Sequence, residues 1–243
     1  MPDAAHRVAP AVAAAPPLAL PGPELAQLAR GFAQIFWGWA ALWAAGLQLV
    51  LDAAGWLTGL MGLAGAAGVL GGAWALTQAQ AVGPAWRRYT GNLLVGGVLI
   101  AYLSPFAWMW RQAPGEPYLL AHALAWWWAV LAYGVVLNVC LRTLARAADD
   151  SGLAWEAVGV GGLQYLLLVG PYTTVVVALV ETAQRAGDPL AVLQFILTSR
   201  SPLLVFALLM PPALTLALLW SVKDWAFRRL TTPGAPSIVP PAP

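Results

Sequence analysis

Long apolar runs alternate with short polar segments along most of this chain. Six runs contain no Asp, Glu, Lys or Arg: 31–51, 56–77, 91–110, 118–141, 157–180 and 203–222. Each is long enough for a helix to cross the hydrocarbon core of a bilayer, which takes about 20 residues. The pattern predicts an all-α membrane bundle of six transmembrane helices, arranged as three successive hairpins.

The composition agrees with a protein that lies almost wholly within a membrane. The chain is 60% hydrophobic and 9% charged, whereas a soluble domain has about 25% charged residues. We therefore expect one membrane domain over 24–230, without an attached soluble domain. The flanking segments 1–23 and 231–243 are rich in Ala and Pro and are expected to be flexible tails. Prolines interrupt the apolar part of 1–23, and no clear cleavage site follows it, which disfavours a signal peptide.

The distribution of Lys and Arg predicts the orientation, because basic residues favour the cytoplasmic side. With the N-terminus in the cytoplasm, three basic residues lie outside: Arg111, Arg185 and Arg200. Nine then lie inside: Arg7, Arg30, Arg87, Arg88, Arg142, Arg146, Lys223, Arg228 and Arg229. An even number of spans places both termini in the cytoplasm. We expect a bacterial-type cytoplasmic (inner) membrane.

The connection between the fifth and sixth runs contains a further helix signal. Asp188-Pro189 fits a helix start, with Asp as the N-cap and Pro at the first helical position. The apolar residues 189–198 that follow are too few to span a bilayer. They predict a short external helix lying in the membrane interface; a re-entrant segment is the alternative.

Several classes of site are disfavoured by what the sequence lacks. The net charge is only +2 and the basic residues are scattered, so a nucleic-acid surface is not expected. Cys140 is the lone cysteine and cannot form a disulfide within the chain or contribute to a cysteine metal cluster. His122 is the one histidine in a predicted span, and Ser104 lacks the surroundings of a nucleophile. No metalloprotease, nucleotide-binding or hydrolase motif occurs. We expect no enzyme, metal or cofactor.

Three amide side chains lie at similar predicted depth within the membrane. They are Gln34, Asn138 and Gln164, each several residues cytoplasmic of the centre of its span. Buried amides require hydrogen-bond partners, so the spacing predicts a polar layer that joins the helices. The alternative is that the three amides line a cavity open to the cytoplasm.

Prolines interrupt the last two predicted spans near their centres. Gly170-Pro171 lies in 157–180 and Pro211-Pro212 lies in 203–222, with Thr174 and Thr215 close by. A proline inside a helix removes a backbone donor and frees a carbonyl. Interruptions at matched depth are typical of a transporter's central site, although packed kinks are the simpler interpretation.

Tryptophan and glycine also stand out. Among 14 tryptophans, Trp126-Trp127-Trp128 lies near the predicted mid-plane and fans across about 200° of a helix, so the three cannot all face one neighbour. The cluster predicts packing and lipid contact, or contact with a partner subunit, pigment, quinone or lipid molecule. Gly55, Gly59, Gly62 and Ala66 form a stripe of small residues that favours close packing of the second span against the first or third. The alternative is a face for contact within a homo- or hetero-oligomer.

These features favour a non-enzymatic role. The main hypothesis is an accessory, assembly or scaffold subunit of a larger membrane complex, with the lipid bilayer and other membrane subunits as partners and no nucleic acid. The alternative is a small permease or transport component for a neutral or hydrophobic solute, based on the kinks in the last two spans.

Overall fold

The computed structural model describes residues 20–51, 55–185, 187–199 and 202–231, with the side chains of 50, 51, 196–199 and 202–208 excepted. All regular structure in these ranges is helical. The eight α-helices of this part of the chain are α1 Gly22–Leu51, α2 Trp56–Thr77, α3 Pro84–Gln112, α4 Pro117–Ala147, α5 Ser151–Leu167, α6 Thr173–Gln184, α7 Pro189–Ser199 and α8 Pro202–Thr231. The predicted tails 1–23 and 231–243 lie mostly outside the described residues.

Within the described residues, four helical segments are long and apolar enough to cross a membrane: Trp56–Thr77, Pro84–Gln112, Pro117–Ala147 and Ser151–Gln184. The last of these joins α5 to α6 through a π-helical turn, Leu168–Tyr172. The apolar run of α1 contains Gln34 and Gln48, which lower its mean hydropathy. The structure thus supports an all-helical, membrane-embedded protein.

Proline and aspartate set several helix starts. Proline opens α3 and α4, where its missing N–H removes no helical hydrogen bond. Asp150 caps α5 by accepting a hydrogen bond from the Leu153 amide at 2.9 Å. Asp188 does the same for α7 through the Leu190 amide at 2.9 Å. The predicted helix start at Asp188-Pro189 is therefore confirmed.

Helices α1 and α2 touch through their backbones. A Cβ on Gly38 would lie 2.6 Å from the Val69 nitrogen, and a Cβ on Gly72 would lie 2.6 Å from the Gly31 oxygen. Only glycine allows such an approach, which maximises van der Waals contact between membrane helices.

The predicted stripe on α2 is only partly involved in this contact. Gly59 lies against Trp108 of α3, Gly62 lies beside Ala45 of α1, and Gly55 has no neighbour within 4 Å of its Cβ position. Ala66 is buried. The closest approach lies further along α2, at Gly65, Gly68 and Gly72, because the two helices converge in that direction.

Contacts at the two ends define the direction of the helices. At one end, which we call the basal end, the Glu24 carboxylate accepts a hydrogen bond from the Ala81 amide at 2.9 Å. Arg30 of α1 and Lys223 of α8 line a common groove there. At the opposite end, Arg111 donates to the Gln48 carbonyl at 3.2 Å. The start of α1 and the end of α8 therefore lie on the same side of the bundle.

Candidate functional site

A cluster of neutral polar side chains lies where α4, α5 and α8 meet. The Thr215 hydroxyl oxygen accepts hydrogen bonds from Asn138 Nδ2 at 3.2 Å and from Gln164 Nε2 at 2.8 Å. All three side chains are buried. We call these residues the Thr215 cluster. It ties three helices together through one oxygen atom.

Glycine and proline explain how the cluster forms. A Cβ on Gly134 would lie 2.0 Å from Gln164 Oε1, so Gln164 can occupy its position only because residue 134 has no side chain. Asn138 Nδ2 also donates to the Gly134 carbonyl at 2.9 Å. Thr215 donates its own proton to the Pro211 carbonyl at 3.0 Å. A hydroxyl has one proton and two lone pairs, so the Thr215 hydroxyl is fully satisfied.

The structure brings together two of the three amides of the predicted polar layer. Asn138 and Gln164 meet, but through Thr215 rather than directly. Gln34 is not part of the cluster: it is exposed on α1, beside Gly71 of α2. Thr215 occupies the role that was predicted for Gln34. The sequence singled out Thr215 because it lies one turn after Pro211, but it predicted a role for Thr215 at the proline kink rather than in the polar layer.

Two amide oxygens of the cluster point into the interior without a donor. Asn138 Oδ1 and Gln164 Oε1 are buried, and no hydrogen-bond partner exists for either among the described residues. The Trp39 ring contacts Gly134, and its Nε1 is also buried without a partner. Buried polar atoms are usually paired. The cluster therefore offers two acceptors to a neutral donor such as water, a hydroxyl or an amide, and it has no group for acid–base chemistry.

The two proline sites differ in their surroundings. Gly170-Pro171 lies in the π-helical turn and is exposed, and Thr174 donates to its own helix at the Gly170 carbonyl, 3.2 Å away. A π-helical turn is a common way to accommodate an interruption of regular bonding. Tyr172 of the same turn donates to the Leu124 carbonyl of α4.

Pro211-Pro212, by contrast, is buried in a helix that continues through it. The described residues therefore do not unite the two proline sites in one cavity. Thr215 belongs to the interior of the bundle, whereas Thr174 lies on its exterior.

The three consecutive tryptophans face three different environments, as their fan predicts. Trp126 is buried and donates to the Ser104 hydroxyl at 3.0 Å. Trp127 packs against Gly46 and lies 5.7 Å from the Trp43 ring on α1. Trp128 is 51% exposed. Trp128 is the most exposed of the three and offers the largest surface to lipid or a partner, whereas Trp127 is half-buried.

The remaining candidates have ordinary structural surroundings. His122 Nδ1 lies 2.8 Å from the Tyr118 carbonyl, and its ring packs against Phe106. Ser104 donates to the Ile100 carbonyl at 2.8 Å. Cys140 is buried. The described residues include no group of three His, Cys, Asp or Glu side chains placed to hold a metal ion.

Most polar groups of the described interior are hydroxyls, amides and indoles; Arg142 Nε of α4 is also buried, with no hydrogen-bond partner among the described residues. The buried polar side chains of this part of the chain are Thr58, Thr90, Ser104, Asn138, Gln164 and Thr215. No family model, curated protein or solved structure matches the chain.

Proposed function

We propose that this chain is a multi-pass membrane protein of six spans, built as three hairpins, and acts as a non-catalytic accessory, assembly or scaffold subunit of a larger membrane complex. Both termini lie in the cytoplasm, in a membrane of the bacterial inner-membrane type. The segment of α7 lies in the external interface.

The Thr215 cluster is the observation that carries this proposal. Its hydrogen bonds join α4, α5 and α8, so the polar groups stabilise the bundle. Functional sites within membranes usually contain an ionisable residue. The six buried polar side chains are all uncharged at neutral pH, and Arg142, whose Nε is buried, lies just beyond the apolar run 118–141. An interior of this kind suits a protein that positions other proteins better than one that moves protons or ions.

The outer surface supports a partner in the membrane. Trp128 is half exposed on α4, and Trp37, Trp74 and Trp155 are exposed on three other helices. Aromatic residues are enriched at protein interfaces, and tryptophan is common among the residues that dominate binding energy. Trp128 lies near the middle of the apolar run 118–141, away from the ends where tryptophan normally anchors at the membrane surface, so it is a candidate for a subunit contact.

Photo-crosslinking tests the subunit role. A photoreactive amino acid placed at 128 should give one discrete adduct with another membrane protein in the native membrane. The matched control is position 95, because Val95 is also highly exposed, at 68%, but lies on α3. Equal adducts at 128 and 95, or adducts with lipid alone, would contradict the proposal.

The unpaired oxygens of Asn138 and Gln164 favour the alternative, a permease for a neutral solute with hydrogen-bond donors. Uptake of small polyols or amides by proteoliposomes that contain the purified chain tests it. Transport that is abolished by Asn138→Leu, with the folded protein retained, would establish this alternative and exclude a purely structural cluster.

A further inference from the structure

A groove between α1 and α8 at the basal end has a chemistry that the subunit role does not require. Its volume is about 520 Å³, within the range of small-molecule sites. It is lined by Ala29, Arg30, Ala33, Lys223, Asp224 and Phe227. The groove therefore combines charged and apolar walls at one end of two long helices.

The charges of the groove leave a net positive site. Asp224 accepts a hydrogen bond from Arg228 Nε at 3.0 Å, so its charge is matched on its own helix. Lys223 Nζ lies 3.3 Å from the centroid of the Trp220 ring, an arrangement that orders the ammonium group without neutralising it. The Arg30 guanidinium is exposed and has no ion pair with another described residue. Two cations thus face the groove from opposite helices.

Aromatic rings continue the groove towards the middle of the bundle. Trp37 lies two turns deeper on α1 than Arg30 and is 68% exposed; Trp220 lies one turn deeper on α8 than Lys223 and is 50% exposed. Phe36 bridges the two helices, with its ring 5.5 Å from that of Trp220. The surface changes from cationic to aromatic along the axis of the helices, as the surface of a phospholipid changes from headgroup to acyl chain.

We propose that this groove binds one anionic phospholipid. The phosphate lies between Arg30 and Lys223, and the glycerol and upper acyl chains lie against Trp37 and Trp220. A soluble phosphate would contact only the two cations and not the aromatic rings of Trp37 and Trp220. The terminal segments of the chain are poor competitors for the cations, because 1–19 contain one acidic side chain, Asp3, and 232–243 contain none.

Native mass spectrometry of the full chain in a neutral detergent tests this site. Dioleoyl phosphatidylglycerol is the probe, and dioleoyl phosphatidylcholine is its zwitterionic match. We expect the anionic lipid to bind about tenfold more tightly, and the double variant R30Q/K223Q to bind it about 10- to 30-fold more weakly, since each basic residue near an anionic membrane surface contributes about fivefold. The matched control R87Q/R88Q removes two exposed cations at the start of α3 and should change the affinity less than about twofold.

Three other outcomes would contradict a specific phospholipid site. Equal binding of the two lipids, or equal losses in R30Q/K223Q and R87Q/R88Q, would show non-specific attraction. Displacement of the lipid by millimolar glycerol 3-phosphate would show a soluble-phosphate site instead. If the double variant does not fold, the single variants R30Q and K223Q replace it, each with a loss of about fivefold expected. The assay contains no partner subunit, so its failure leaves the proposed subunit role unaffected.

Discussion

Two regions of this bundle hold their helices together by opposite means. Between α1 and α2, glycine backbones touch, as at Gly38 and Gly65, and van der Waals contact dominates. Where α4, α5 and α8 meet, amides from two helices share the Thr215 hydroxyl of the third. Within lipid there is little hydrophobic gain from bringing apolar helices together, so close packing and interhelical hydrogen bonds are the available alternatives.

The difference has a consequence for tolerance to mutation. In the α1–α2 contact, an atom added at Gly38, Gly65 or Gly68 meets backbone first, which cannot move independently. In the Thr215 cluster, an atom added at Gly134 first meets the end of the Gln164 side chain, which can rotate away at the cost of its hydrogen bond. The α1–α2 contact should therefore be rigid and intolerant of larger side chains, whereas the Thr215 cluster should adjust to them at a smaller loss of stability.

The largest effect is expected for Gly38→Ala. Its new Cβ would lie 2.6 Å from the Val69 nitrogen and 2.8 Å from the Gly65 oxygen, so the helices must separate. We expect the free energy of unfolding to fall by about 3 kcal/mol, measured by reversible unfolding in detergent or bicelles. Gly91→Ala is the control, because its Cβ position is open and the change should stay within about 0.5 kcal/mol. Equal stability of the two variants would show that the close contact is not a constraint.

A smaller loss is expected for Gly134→Ala. The new Cβ would lie 2.0 Å from Gln164 Oε1, which forces Gln164 away from Thr215 and costs about 1–2 kcal/mol. In a Gln164→Ala background the same change should cost less, because the closest obstruction is gone and the Trp39 ring, 2.7 Å from the new Cβ, is the obstruction that remains. A double-mutant cycle measures this coupling. Additive losses would indicate that residue 134 acts through backbone packing, as in the α1–α2 contact.

Thr215→Val tests the hydrogen bonds themselves. Valine keeps the shape of threonine but removes the oxygen that accepts from Asn138 and Gln164, so we expect a loss of about 1–2 kcal/mol. Thr215→Ser retains the hydroxyl and should recover most of the stability. Thr174→Val provides a matched control, since Thr174 is exposed and donates to the Gly170 carbonyl of the preceding turn rather than to another helix. A similar loss at both positions would contradict the special role of Thr215.

The sequence predicted the positions of the helices better than their faces. The predicted run 56–77 coincides with α2, and 91–110 lies inside the longer α3, because α3 extends beyond its apolar part with polar residues at its start. Depth follows directly from the 1.5 Å rise per residue, so Asn138 and Gln164 were found. The direction that a side chain faces depends on how the helices pack, which the sequence does not specify at this precision. Gln34 was therefore placed in the polar layer although it is exposed, and the additional bonds of Thr215 to Asn138 and Gln164 were not predicted.

The smallest expected loss of stability is for Gln34→Leu, which tests whether the depth of a residue in the membrane or the direction of its side chain decides its contribution. Gln34 was predicted at the same depth as Asn138 and Gln164, but its side chain is exposed beside Gly71, outside the Thr215 cluster. Gln34→Leu should change the free energy of unfolding by less than about 0.5 kcal/mol, because no interhelical hydrogen bond is lost. Asn138→Leu, at similar depth, should cost about 1 kcal/mol or more, since it breaks the bonds to Gly134 and Thr215. Parallel unfolding curves in the same bicelles measure both variants. A loss for Gln34→Leu as large as that for Asn138→Leu would place Gln34 in the polar layer after all, and would require α1 to rotate about its axis relative to the arrangement described here.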